Sequence, residues 1–178
     1  MKNILPVLAF LSLALPCPTL ADSDPPRFAI YRVDMPDPDR IPWALTQEYV
    51  LESGVRHESP ILTEEHILEY CWDDQRLTLT AEGVRRWDGQ GGFEVPLTGL
   101  PLVVCLDGEP RYAAMLWNPA SSMGCRLPEI WCRALGNRLR IGGMFISADG
   151  DTTLGPNYDP EVERVMTELG RLADSCPE

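Results

Sequence analysis

Lysine and histidine are scarce in this chain of 178 residues. Lys2 is the single lysine, and His57 and His66 are the only histidines. Acidic residues number 27 against 15 lysines and arginines together, so the formal net charge is −12 at pH 7. Because an acidic surface repels phosphate backbones, the composition argues against nucleic acid as a partner. It leaves a protein or peptide as the expected kind of partner.

Sequence motifs for catalysis are also missing. The chain contains no Cys-x-x-Cys and no Gly-x-Ser-x-Gly, and no glycine-rich phosphate loop follows a predicted strand. These motifs mark redox or zinc sites, hydrolase nucleophiles and nucleotide sites respectively. His57 and His66 lie among acids but lack the close ligand spacing of a metal site. We therefore predict a non-enzymatic protein with no catalytic residues, no metal and no cofactor.

The N-terminal segment has the pattern of a signal peptide. The charge of Lys2 precedes an apolar run over residues 4–15, and small residues follow up to Ala21. This run is shorter than the roughly 20 residues that a membrane-spanning helix needs. We therefore predict that residues 1–21 are a signal peptide, cleaved near Ala21, and that the mature protein is periplasmic or secreted.

The remaining residues, 22–178, have the size of a single domain with one core. No second hydrophobic stretch in them approaches membrane length. Residues 22–27 are polar and rich in proline, so we predict that they are disordered.

The cysteines of this domain suggest disulfides. An oxidising compartment would pair four of the five and leave one thiol, but sequence alone does not choose the pairs. The best candidate pair is Cys125 and Cys132, because only a short segment with a predicted turn at Leu127-Pro128 separates them. The five cysteines are Cys71, Cys105, Cys125, Cys132 and Cys176.

Strand patterns dominate the domain. Residues 28–33 read as a first strand, and residues 48–51 resemble a second. An alternating segment at residues 76–80 follows residues 70–72 as the second arm of a hairpin. The predicted central strand, at 101–106, is almost wholly apolar and ends at Asp-Gly. Three more strands are predicted, at residues 112–117, 129–135 and 138–141.

Helix signals are fewer. Thr63 and Thr80 are each followed by acids and are predicted N-caps of short helices. The C-terminal helix is the clearest, with Asp159 as cap and Pro160 at its first position. Its apolar stripe should pack on the sheet. The predicted class is α+β, with a mainly antiparallel sheet and two or three short helices.

The order of four segments resembles the head subdomain of the first periplasmic domain of SecD and SecDF translocation factors. The segments are residues 60–67 (PILTEEHI), 77–84 (LTLTAEGV), 102–108 (LVVCLDG) and 140–143 (RIGG). This resemblance implies a stand-alone secreted domain with that fold and a capacity to hold polypeptide. Two departures are the missing transmembrane helices and Ala-Ala-Met at 113–115, where the family has a proline. Proton-driven secretion is therefore not implied.

The best candidate binding unit is a strand that ends in an aromatic residue and runs into a polar loop. An exposed ring beside hydroxyl and amide groups would offer a stacking face with hydrogen-bonding groups. The unit comprises Tyr112, Trp117, Asn118, Ser121 and Ser122.

The sequence therefore favours a periplasmic or secreted binding protein that holds a peptide or an envelope protein. One alternative is a small secreted hydrolase or metal-dependent enzyme that uses His66 and nearby acids. Another is a protein inhibitor that presents a loop closed by Cys125 and Cys132 as a rigid wedge.

Overall fold

A computed structural model describes most of the domain. The residues described are 24–37, 44–89, 95–118, 120–131, 134–142 and 159–176. The predicted signal peptide at residues 1–21 lies outside them. Of the predicted disordered leader, residues 24–27 are described and have no regular secondary structure.

Nine strands form one sheet, and three α-helices and a short 3-10 turn accompany it among the described residues. The α+β class is therefore confirmed. The strands are β1 Phe28–Asp34, β2 Val55–Arg56, β3 Leu62–Thr63, β4 Ile67–Cys71, β5 Arg76–Leu79, β6 Leu100–Leu106, β7 Glu109–Trp117, β8 Glu129–Trp131 and β9 Arg138–Gly142. The helices are α1 Gln47–Ser53, α2 Ala81–Asp88 and α3 Pro160–Glu168, and the 3-10 turn is Glu64–His66.

The sheet curls until its two ends approach each other. Its order is β2-β1-β6-β7-β8-β9-β5-β4, and β3 pairs with β1 beside β2. β3 and β4 thus lie at opposite ends of this order, yet only Glu64–His66 separate them in the chain. A connection of this length spans roughly 13 Å at most. The sheet therefore wraps around an interior, and every pairing in it is antiparallel except that of β7 with β8.

The longest hairpin joins β6 and β7 through Asp107 and Gly108. These two residues have φ of 49° and 83°. Positive φ at both central positions is the conformation whose twist matches antiparallel strands, and glycine adopts it without steric cost. The sequence predicted this hairpin, and the predicted hairpin of residues 70–80 is likewise confirmed as β4 and β5.

The main core fills the inside of the curl, and α2 and α3 pack against it. Trp87 of α2 is fully buried, and its Nε1 donates a 2.9 Å hydrogen bond to the carbonyl of Trp131. α3 contributes three buried side chains, as its apolar stripe predicted. They are Val162, Val165 and Met166.

Both predicted caps of these helices are confirmed. Thr80 accepts from Gly83 N at 3.0 Å, and Asp159 accepts from Glu161 N at 2.9 Å. Gly83 is needed for close packing, because a Cβ there would lie 2.6 Å from the carbonyl oxygen of His66. Thr63, in contrast, precedes only the 3-10 turn, since β4 begins at Ile67.

A second layer covers the outer face of β1, β6 and β7. The predicted strand at residues 48–51 is wrong, because these residues belong to α1. Thr46 caps this helix by accepting from Tyr49 N at 3.2 Å, and Val50 is buried against the sheet. Gln47 exchanges two hydrogen bonds with the backbone of Ala113, at 2.6 and 2.7 Å. The side chain thus hydrogen-bonds to β7 just before the parallel pairing of β7 with β8 begins at Met115.

The C-terminal segment covers the edge of β4. Tyr70 N donates to Arg171 O at 2.7 Å, and Ala173 N donates to Tyr70 O at 2.9 Å. The disulfide between Cys71 and Cys176 fastens the end of this segment. An exposed edge strand is a site of unwanted pairing, so the segment protects the sheet. Within the described ranges, no helix has the length and hydrophobicity to cross a membrane.

Candidate binding surfaces

The aromatic members of the predicted binding unit lie in the interior. Tyr112 is 2% exposed and Trp117 is 5% exposed. Side chains alternate along β7, so Tyr112 points into the main core while Trp117 packs in the outer layer. The two rings therefore share no face, and neither is available to stack on a ligand in this structure.

Two polar members of that unit form hydrogen bonds to the backbone of nearby loop residues. Asn118 donates to Val95 O at 2.8 Å and accepts from Ala120 N at 2.9 Å. Ser121 Oγ donates to Leu97 O at 2.7 Å. Only Ser122 is an exposed member of the predicted unit. These bonds give the amide and one hydroxyl a structural role.

The two histidines have separate local partners. Nδ1 of His66 accepts from Thr63 N at 3.0 Å, which fixes a mostly buried ring at the 3-10 turn. Nε2 of His57 lies 3.0 Å from Asp34 Oδ1, and this contact holds the pKa of the Asp34 carboxyl below its usual value.

One group of side chains among the described residues is close enough to share a metal ion. It consists of Cys71, Asp74 and Cys176. The two sulfurs of this group form the disulfide. It therefore does not present the thiolates that a metal would bind.

Two of the described cysteines are free thiols, unlike the disulfide-bonded Cys71 and Cys176. Cys125 is a half-buried free thiol whose pKa burial raises to about 11. Cys132 lies outside the described residues, so the Cys125–Cys132 bridge stays a prediction. Cys105 is fully buried, and burial also raises the pKa of its thiol.

An uncovered part of the outer sheet surface lies on β8, β9 and β5. Ile130 and Ile141 are register partners and both point into the core. The next residues along these strands, Trp131 and Arg140, therefore point outward together. Arg140 in turn pairs with Arg76 on β5, and Arg138 lies two residues along β9 on the same side. We call Trp131, Arg76, Arg138 and Arg140 the arginine–tryptophan face.

This face combines an exposed ring with free positive charge. Trp131 is 50% exposed, and Arg138 and Arg140 are both exposed. Arg76 is paired with Asp74 at 3.1 Å, whereas no ion pair within the described part of the chain involves Arg138 or Arg140. By the same register, acids flank the face at Glu69 on β4 and Glu129 on β8.

The sequence did contain a signal for this face. Residues 138–141 alternate Arg-Leu-Arg-Ile, and residues 76–79 alternate Arg-Leu-Thr-Leu. Alternation with arginine on one side is typical of a strand whose outer face meets solvent. The pairing that places Trp131 beside these arginines could not be read from the sequence.

A cavity of about 270 Å³ lies elsewhere on the outer side, beside the end of α1. Leu51 and Pro110 give it an accessible apolar wall beside the almost fully buried Val33, Val50 and Val103. Arg56 and Glu109 supply charge. Strand β2 carries Arg56, and β7 begins with Glu109.

Comparison with known proteins identifies no relative: no family model, no curated protein and no solved structure matches the chain. The resemblance to the SecD head therefore has its support in the four sequence segments alone. Function is therefore inferred from the geometry of the arginine–tryptophan face and of the cavity beside α1.

Proposed function

We propose that the mature chain is an extracytoplasmic binding protein, without catalysis of its own, that holds a segment of a partner polypeptide against the arginine–tryptophan face. The observation that carries this proposal is the half-exposed Trp131 on the same surface as Arg138 and Arg140, which have no ion pair in the described part of the chain. Tryptophan and arginine are the residue types most enriched among the energetically dominant residues of protein interfaces.

The chemistry of the face favours a segment that carries carboxylates. A guanidinium presents a planar fork of donors that matches a carboxylate with two parallel hydrogen bonds. The net charge of −12 opposes an acidic partner at long range. At physiological ionic strength, however, charges more than about 8 Å apart are largely screened, so the charges of the face itself decide the outcome. These are Arg138 and Arg140 at its centre, with Glu69 and Glu129 at its margins.

Two further observations support an extracytoplasmic location for this chain and a polypeptide as its partner. The disulfide between Cys71 and Cys176 is typical of oxidising compartments, in agreement with the predicted signal peptide. The resemblance to the SecD head implies that such a domain holds polypeptide. The proposal keeps this capacity and leaves out membrane-coupled transport.

Fluorescence anisotropy with short labelled peptides tests this proposal. A glutamate-rich peptide that contains aliphatic residues should bind, and a lysine-rich peptide of the same length should not. The double variant Arg138→Gln/Arg140→Gln should weaken binding of the glutamate-rich peptide by about tenfold or more, since hydrogen bonds between charged groups contribute about 1.5–3 kcal/mol each.

The matched control is Arg85→Gln/Arg86→Gln on α2, which removes the same charge from another exposed pair. This control should bind the glutamate-rich peptide nearly as well as the wild type. Equal weakening by both double variants would show that only overall charge matters, and the proposed face would then be wrong. Equal binding of the lysine-rich peptide would contradict the proposed partner chemistry.

A further inference from the structure

The cavity beside α1 contains an arginine that is already held in place. The guanidinium of Arg56 lies over the ring of Tyr31, with 4.7 Å from its central carbon to the ring centroid. Its Nη1 donates to Gly108 O at 2.7 Å and approaches Cys105 Sγ at 3.3 Å. Because these contacts fix the side chain, binding a ligand would cost it little further conformational entropy.

Part of this guanidinium remains available to a ligand. Both hydrogen bonds to the described residues come from Nη1, so Nε and Nη2 have no partner in that part of the chain. Donors on a fixed guanidinium at the wall of a cavity suit a carboxylate.

The cavity also contains a negative charge. Glu109 lines it, is exposed to solvent, and interacts electrostatically with Arg56. The accessible apolar wall comes from Leu51 and Pro110, whereas Val33, Val50 and Val103 also line the cavity but are almost fully buried. The cavity therefore offers one positive group, one negative group and an aliphatic surface.

We propose that this cavity binds a free amino acid with a branched aliphatic side chain. The carboxylate of the amino acid pairs with Arg56, its ammonium group pairs with Glu109, and its side chain contacts Leu51 and Pro110. The volume of about 270 Å³ lies just below the range of about 300–1,000 Å³ for sites that hold drug-sized ligands, as suits a smaller molecule. This site is separate from the arginine–tryptophan face and does not depend on the function proposed for it.

Isothermal titration of the wild-type protein with leucine and three analogues tests each part of the proposal. The analogues are 4-methylpentanoate, which lacks the ammonium group, 3-methylbutylamine, which lacks the carboxylate, and glycine, which lacks the side chain. Leucine should bind with saturation, and each analogue should bind about tenfold more weakly or worse, as expected for loss of a charge-assisted contact or of apolar burial. Absence of leucine binding would overturn the proposal, as would equal binding of glycine.

Variants assign the charged contacts to residues. Arg56→Gln should weaken leucine binding, but it also removes contacts to Gly108 and Tyr31. Glu109→Gln is at an exposed position and should weaken leucine binding, while binding of 4-methylpentanoate should not weaken and should strengthen slightly, because the variant removes a negative charge that repels its carboxylate. The control is Glu52→Gln, which removes an exposed acid on α1 that does not line the cavity. If Glu109→Gln and Glu52→Gln had the same effect, Glu109 would not be the ammonium partner and the proposal would fail.

Discussion

Trp117 and Trp131 are register partners across β7 and β8, and both point to the outer side of the sheet. Trp117 is 5% exposed, because α1 and neighbouring loop residues cover its part of the sheet. Trp131 is 50% exposed, with Arg140 opposite it and Arg138 two residues further along β9, and neither arginine has an ion pair among the described residues. The same residue type in adjacent strands thus has two environments, one inside a second layer and one at the surface.

The strands on the two sides of this boundary have different sequence patterns. In β6 and β7, the stretches 102–106 and 112–117 are buried at every residue. In β9, Leu139 and Ile141 are buried while Arg138 and Arg140 are exposed. A continuous apolar strand requires cover on both faces, whereas an alternating strand requires it on one. The pattern therefore separates the covered part of the sheet from the part that is free to bind.

Replacement of each tryptophan by alanine should show the difference between the two environments most strongly. Trp117→Ala should lower the free energy of unfolding by about 3–5 kcal/mol, because it leaves a large cavity in the outer layer. Trp131→Ala should cost about 1 kcal/mol or less, since half of its side chain already meets water. Urea unfolding followed by far-ultraviolet circular dichroism measures both without depending on tryptophan fluorescence. Similar losses would contradict the distinction between the two environments.

Removal of the disulfide should affect the edge of the uncovered region. Cys71 and Cys176 close a loop with a sequence separation of 105. Cys71→Ser/Cys176→Ser should therefore lower stability by about 2–5 kcal/mol, since the unfolded chain regains conformational entropy. Chemical unfolding under non-reducing conditions measures this loss.

Cys125→Ser provides the comparison for the disulfide variant. Cys125 is a free thiol in the structure, so its replacement should cost clearly less than loss of the disulfide. A loss as large as that of the double serine variant would instead support the predicted bridge to Cys132. Mass analysis after alkylation of free thiols would distinguish the two cases.

Local signals in the sequence predicted much of the fold. Thr80 and Asp159 cap helices as predicted, and Asp107-Gly108 forms the predicted turn. The sequence of residues 48–51 favours a strand although they belong to α1, because the apolar run at the centre of this helix is short. Its cap at Thr46 and its end at Gly54 were the signals that could have identified it. Short apolar runs do not by themselves distinguish a helix from a strand.

The binding surfaces were harder to predict, because burial depends on distant segments. Trp117 is buried in the layer that α1 helps to form, some 65 residues earlier in the chain. Trp131 and Arg76 share a surface only because β8, β9 and β5 are neighbours in the sheet. Periodicity shows which side of a strand is polar, but it does not show which strands lie side by side.

The ion pair between Arg111 of β7 and Asp159, the N-cap of α3, should stabilise the fold in a pH-dependent way. Burial alone would raise the pKa of Asp159, but hydrogen bonds from Arg111 and from Glu161 N outweigh it and leave that pKa below its usual value. Asp159 therefore stabilises the fold above the pKa that it has in the unfolded chain, and this contribution is lost as the pH falls through its folded pKa. Asp159→Asn keeps a capping oxygen and should cost about 1 kcal/mol at pH 7.

Unfolding at a series of pH values would measure the Asp159→Asn effect. The difference from wild type should shrink as the solution becomes strongly acidic, because the wild-type carboxyl is then protonated and no longer pairs with Arg111. A difference that stays constant across this range would show that the charge of Asp159 does not contribute.

The unpaired arginines of the uncovered region should contribute least to stability. Arg138→Gln/Arg140→Gln should change the free energy of unfolding by about 0.5 kcal/mol or less, because both side chains are exposed and without ion pairs in the described structure. A slight gain is expected, since Arg140 lies directly opposite Arg76 and like charges in that position repel. Thermal and urea unfolding of this double variant would measure the change.

A loss of stability above about 1 kcal/mol would mean that the arginines hold the sheet together. Their positive charge would then have a structural explanation, and reduced peptide binding by the same variant would no longer identify the face as a binding site.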